Sequence, residues 1–301
     1  MRQVMGHLLC LTSAAAFGAM AIFGKLAYDA GAGPWDVLLA RFTLAAAALA
    51  AIAAARGALA GLPRRAVLTG LALGAVGYAT QAGLFFAALE RMDASLLSLL
   101  LYTYPALVTV AAIAIGRERA TARRIVAVVV ASLGTVLVLA GAATGALDPL
   151  GTALAVGAAC AYTTYILVGD RITGEAPALA MAALVAIGAT ATFAVMAALR
   201  GGPDLAFSAG GWAAIVGIAL VSTVVAIVAF FAGLARVGPS TASILSTFEP
   251  VVTIALAALV FGEALTAVQG VGAALVLGAV TLLAAPARRP WRRREPQPAV
   301  A

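Results

Sequence analysis

Long apolar runs fill almost the whole chain, and short clusters of charge, glycine and proline cut them apart. A helix needs about 20 mostly apolar residues to cross the hydrocarbon of a bilayer. The punctuation predicts ten such helices, over 5–28, 34–55, 66–89, 93–116, 123–141, 149–169, 178–199, 210–234, 239–261 and 266–285. The connections are only a few residues long and leave no room for a soluble domain. Apolar residues make up 64% of the 301 and charged ones 10%, with a mean hydropathy of +1.08. A soluble chain is nearer 45–50% apolar and about 25% charged, so the surplus needs lipid.

Charge sets the orientation. With the N-terminus in the cytoplasm, fifteen of the nineteen basic residues fall in inside segments: Arg2, Arg56, Arg64, Arg65, Arg117, Arg119, Arg123, Arg124, Arg171, Arg236 and the Arg288–Arg294 cluster. Arg91 and Arg200 fall outside, and Lys25 and Arg41 lie within or near helices. This bias matches the positive-inside rule and places both termini in the cytoplasm of a cell whose inner membrane the chain crosses many times. The first run reads as an uncleaved helix, because it continues through Phe23 and many spans follow. The basic tail "RRPWRRREP" reads as an anchor on the inner lipid surface, and no nucleic-acid partner is expected.

The second half repeats the first. "LERMDASLLSLLLYTYPALVTVAAIAIGRERAT" (89–121) aligns without a gap to "LARVGPSTASILSTFEPVVTIALAALVFGEALT" (234–266), at an offset of 145 residues. Arg91, Ser95, Ser98, Pro105, Glu118 and Thr121 match Arg236, Ser240, Ser243, Pro250, Glu263 and Thr266. The chain thus divides into repeats at 1–145 and 146–287, followed by the tail at 288–301. Each repeat has five helices, an odd number, so the second is inverted relative to the first. The expected fold is an all-α integral membrane protein of ten transmembrane helices in two inverted five-helix repeats. That is an architecture of secondary transporters.

At these residues the chain resembles the drug/metabolite transporter superfamily, in particular the EamA-like ten-helix exporters. The matching stretches are "AFGAMAIFGKLA", "ARFTLAAAALA", "AALERMDASLLSLLLYTYPALVTVAAIAIGRE" and "GLARVGPSTASILSTFEPVVTIALAALVFGEALTAVQGVGAALVLGAV". Phe17, where the family commonly has tryptophan, and "GRE" at 116–118 depart from its pattern. The resemblance implies efflux or exchange of small metabolites, with a substrate that differs among members.

Glu249 stands directly before Pro250 in an apolar run, where each costs free energy. Pro105 repeats the helix break in the first half, with Tyr104 in the place of the acid. Backbone loosened at mid-membrane is tolerated where it lines a cavity or packs in protein. Helices 4 and 9 are therefore expected to bend around a central cavity. Glu249 would face it, binding a substrate amine or carrying a coupled proton; the competing reading is a structural hydrogen-bond acceptor between helices. Ser98 and Tyr102, and their equivalents Ser243 and Thr247, keep to one helix face with the prolines. Tyr78, Gln81, Tyr162 and Tyr165 add an aromatic, weakly polar lining suited to an amino acid or similar amphiphile. Arg41 binds a substrate carboxylate, or makes a structural pair. Lys25 reads as snorkelling to the outer surface.

Glu118, Glu263 and the box Thr266-Ala-Val-Gln269 read as structural caps. Gly70, Gly74, Gly77, Gly270, Gly272 and Gly278 read as sites of close helix contact. Cys10 and Cys160 read as small buried thiols with no spacing for a metal site. One histidine and an isolated carboxylate give little to an enzyme, and neither a cofactor nor a metal is expected. The partners expected are a small-molecule substrate, the lipid bilayer and, through Glu249, coupled protons. The runner-up reading is exchange of phosphorylated or nucleotide-linked metabolites, which would favour more cavity cations than Arg41 and Lys25 supply.

Overall fold

The computed structural model describes residues 2–89, 91–92, 94–140, 148–262 and 266–284. Ten helices in it are long and apolar enough to cross a membrane. Helix 1 is Arg2–Asp29, helix 2 Pro34–Ala55, helix 5 Ala122–Ala140, helix 6 Pro149–Ile172, helix 7 Ala178–Leu199 and helix 10 Ala267–Ala284. The other four are interrupted. Helix 4 is Ala94–Leu101 and Tyr104–Ala114, and helix 9 is Pro239–Ser246 and Phe248–Phe261. Helix 3 runs Arg64–Ala72 and Ala79–Leu89 around a π-turn at Leu73–Tyr78. Helix 8 runs Ala209–Ala219 and Ala226–Val237 around a second π-turn at Leu220–Val225.

Local chemistry sets the helix ends. Asp148 Oδ1 accepts the Gly151 N–H at 2.6 Å and Ser208 Oγ accepts that of Gly211 at 3.2 Å, each capping a helix start. Thr266 and Gln269 exchange bonds as the capping box requires: the Gln269 N–H donates to Thr266 Oγ1 at 3.2 Å, and Gln269 Oε1 accepts the Thr266 N–H at 2.9 Å. Helix 9 stops where Gly262 takes a left-handed conformation, φ +70°. Glu263, the side chain of Ser95 and the 288–301 tail lie outside the described residues.

Packing obeys an exchange of the two repeats. Helix 1 packs on helices 8 and 9 as helix 6 packs on helices 3 and 4. Helices 2 and 7, 4 and 9, and 5 and 10 meet their own repeat partners. Close approaches need glycine. A Cβ on Gly74 would lie 2.0 Å from the Val185 carbonyl oxygen, and one on Gly188 2.1 Å from that of Leu71, so helices 3 and 7 touch backbone to backbone. Gly134 and Gly272 do the same for helices 5 and 10. Gly270 and Gly278 meet nothing within 4 Å, so the expectation of close contact fails there. Both glycines are exposed. Cys160 corrects a second expectation, because it is exposed while Cys10 is buried.

Candidate functional site

The two helix breaks are built alike. Thr103 and Thr247 sit in the breaks with near-helical backbone, ψ −17° and −8°. Pro105 and Pro250 follow and supply no N–H to the ladder. The hydroxyls reinforce the turn that comes just before: Thr103 Oγ1 donates to the Leu100 carbonyl and Thr247 Oγ1 to that of Ile244, each at 2.7 Å, beside the N–H of the same residue. A fresh helix then starts at Tyr104 or Phe248.

That restart explains the cost accepted at Glu249. The carboxylate lies in the first turn of the new half-helix, where free N–H groups and the helix dipole favour negative charge. Its backbone is fixed from helix 1. A Cβ on Gly18 would lie 2.8 Å from the Glu249 carbonyl oxygen. The Thr253 hydroxyl is shared between the carbonyls of Gly18 at 3.0 Å and Glu249 at 3.1 Å. Tyr102, on helix 4, donates its phenolic hydrogen to the Glu249 carboxylate.

Five of the six tyrosines join in one series of rings. Tyr102 lies 5.9 Å from Tyr104, which lies 4.6 Å from Tyr162. Tyr162 stacks at 5.9 Å on Tyr165, and Tyr165 meets Tyr78 at 6.3 Å. Tyr78 continues the series to Phe42 at 4.8 Å and Phe42 to Phe193 at 5.6 Å. Helices 2, 3, 4, 6 and 7 all contribute. Tyr78, Gln81, Ser98, Tyr102, Tyr162 and Glu249 are half-buried, whereas Tyr104 and Tyr165 are buried behind them.

Arg41 closes the other end of this series. It is 4% exposed. Its Nε donates to Thr223 Oγ1 at 2.7 Å, Nη2 to the Tyr78 hydroxyl at 3.0 Å and Nη1 to Met20 Sδ at 2.9 Å. The guanidinium lies 4.7 Å from the Phe42 ring centre. Its charge is felt at Glu249. The site is therefore an aromatic lining with one cation and one anion, carried by helices of both repeats.

Two expected members are sealed. Ser243 and Thr247 are wholly buried, and their hydroxyls donate within their own helix, to the carbonyls of Ser240 and Ile244. The face they occupy is covered by packing in this conformation. Lys25 is exposed and lies 4.0 Å over the Phe261 ring, as a snorkelling lysine does. Met20, Phe42 and Thr223 were not foreseen. The adjacent hydroxyls of Ser222 and Thr223 in the apolar run of helix 8 were the available signal.

The described arginine-rich end of the bundle is tied by polar bonds between repeats. Arg117 Nε donates to Asp170 Oδ2 at 2.5 Å, and the Ser240 hydroxyl donates to Glu118. Arg124 approaches Glu118 at 3.6 Å. Asp170 is 3% exposed and lies within helix 6, which extends past the expected bound at 169 to Ile172.

The family model for the EamA-like transporter family matches twice, over residues 4–140 and 149–285. The chain belongs to that family. As an EamA-like protein of the drug/metabolite transporter type it is a multi-pass membrane transporter, with a small-molecule substrate and the bilayer as its partners. One solved crystal structure is similar to it with a TM-score of 0.80, covering 92% of this chain and 95% of that one at 19% identity, which bears on the fold alone. No curated protein matches the sequence significantly.

Proposed function

We propose that this EamA-like protein is a secondary active transporter that exports or exchanges amino acids or related amphiphilic metabolites across the cytoplasmic membrane, by alternating access between its inverted repeats. The positive-inside bias of the sequence supports a cytoplasmic side for both termini. The observation that carries the reading is Glu249. It is a carboxylate on a half-helix N-terminus within the membrane, hydrogen-bonded by Tyr102 and backed by a run of tyrosine rings. An intramembrane carboxylate in such a setting suits a substrate amine or a carried proton. The aromatic lining suits the apolar body of the same substrate. Exchange of phosphorylated compounds is less well supported, because Arg41 is the cation that the described site contains.

Counterflow in proteoliposomes, over a panel of amino acids and with or without a pH gradient, tests this directly. Glu249→Gln should lower the rate at least about tenfold, the equivalent of one lost charge-assisted hydrogen bond, while the detergent-solubilised protein keeps its melting temperature within a few degrees. An undiminished rate in the folded variant removes Glu249 from the mechanism.

A further inference from the structure

Arg41 is a buried cation whose three bonds all go to neutral groups: a hydroxyl, a phenol and a thioether. Thioether sulfur is a weak acceptor, and a guanidinium has five N–H donors, so two donors remain beyond these bonds. Buried charges normally have a hydrogen-bonded counter-ion. Among the described residues no carboxylate lies within ion-pair distance of Arg41. Glu249 acts on it only through space and is itself bonded by Tyr102. The guanidinium thus keeps donors for an anionic partner that the described residues do not provide.

The neutral partners are also distinctive in position. Tyr78 is the last residue of the π-turn in helix 3, and Thr223 lies inside the π-turn of helix 8. Thr223 is engaged twice there, because its hydroxyl donates to the Ile218 carbonyl at 3.0 Å, five residues back, while accepting from Arg41. One side chain thus ties the wide turn of one repeat to the wide turn of the other. A π-turn holds an extra residue in the helix, so relaxing it to α geometry would rotate the flanking segments by about 100° relative to each other.

Resting on the transport reading above, we propose that Arg41 selects cargo bearing a carboxylate, and that the carboxylate displaces Tyr78 and Thr223 from the guanidinium. Binding then unties the two π-turns and frees helices 3 and 8 to rearrange. A carboxylate matches the planar fork bidentately, which neither neutral partner can do. The cargo places its carboxylate at Arg41 and lays its apolar body along the aromatic series. Arg41 is here both a contact for the cargo and a positioning group for the turns.

The test uses the purified full chain in nanodiscs, with leucine, phenylalanine and glutamate each compared with its α-amide as a probe. In the wild type at least one acid should bind at least about tenfold more tightly than its amide, and should raise hydrogen exchange in 73–78 and 220–225. Arg41→Gln should abolish that preference. The decisive variants are Thr223→Val and Tyr78→Phe, which keep the charge but remove its competitors. Displacement predicts that they bind the acid about fivefold more tightly, since a bond worth about 1 kcal/mol no longer has to break. A purely structural role for the tie predicts weaker binding, and that result overturns the proposal. So does an acid bound no better than its amide across the whole panel. Counterflow without acid preference removes Arg41 as selector and leaves transport standing. Acid-selective binding with no counterflow of any probe does the reverse.

Discussion

Helices 4 and 9 carry nearly the same sequence pattern and the same proline break, yet their surroundings are reversed. The first half of helix 9, Pro239–Ser246, is buried at every residue, and in its second half Pro250 alone is buried. Helix 4 shows the opposite. Its second half buries Tyr104, Pro105, Val108, Thr109 and Ala112, while in the first half Leu97 is buried and Ser98 to Leu101 are only half-buried. Because the helices run in opposite directions, the two well-packed halves lie at the same end, the arginine-rich one. There Glu118 of one repeat accepts from Ser240 of the other, and Arg117 reaches Asp170. Two like sequences in unlike packing fit the alternating-access cycle proposed above: one conformation seals one end, and exchanging the roles of the repeats would seal the other.

The comparison breaks most severely if its packing is disturbed. Ala242 is 0% exposed in the sealed half of helix 9, whereas Leu259 is 81% exposed in the loose half. Ala242→Leu should cost about 1–3 kcal/mol by overpacking and lower the melting temperature clearly. Leu259→Ala should stay within about 0.5 kcal/mol. Equal melting shifts would mean that the two halves are packed alike and that the contrast has no energetic content.

A smaller effect should come from the ties at the sealed end. Asp170→Asn removes the acceptor charge from a bond whose arginine is half in solvent, so its loss is worth about 1 kcal/mol after screening. That is about a fivefold shift between sealed and open forms. With both native cysteines replaced, Thr241→Cys should react with a maleimide several-fold faster in the Asp170→Asn background than without it. Equal rates would show that Arg117 and Asp170 do not help to hold this end shut. Glu118→Gln should act in the same direction, because it weakens the bonds to both Ser240 and Arg124.

Most of the fold was legible because its determinants are local or periodic. Apolar run length fixes a membrane helix, and the ten observed helices, interruptions included, begin and end within about three residues of the expected bounds. The breaks were legible from Pro105 and Pro250, since a missing N–H acts wherever the chain goes. The π-turns were not, because an inserted residue leaves no mark in an apolar pattern that has no polar stripe to shift. The aromatic series came from single residues whose facing could be judged by spacing. Arg41 was visible as an oddity, but its partners Thr223 and Met20 come from helices 8 and 1, a meeting that spacing within helix 2 cannot encode. Gly272 packs while Gly270 and Gly278 do not, for the same reason: composition offers a small residue, and only the neighbour decides whether closeness is used.

The serine and threonine pair on helix 9 gives the smallest expected effect and a sharp test of what helical spacing means. Ser98 and Ser243 occupy equivalent positions, but Ser98 is half-buried beside Tyr102, while Ser243 is sealed and donates to the Ser240 carbonyl at 3.0 Å. A hydroxyl bonded to its own helix can be removed at little cost, because the carbonyl it leaves is still held by the backbone ladder. Ser243→Ala should therefore leave counterflow rates unchanged and stability within about 0.5 kcal/mol. Ser98→Ala should alter the apparent substrate affinity by a few-fold, since that face borders the tyrosine series. Were Ser243→Ala to slow transport as much as Ser98→Ala, the buried half of helix 9 would have to open to substrate during the cycle. Its sealing in this conformation would then be one stage of the movement, and the two halves would differ in timing rather than in role.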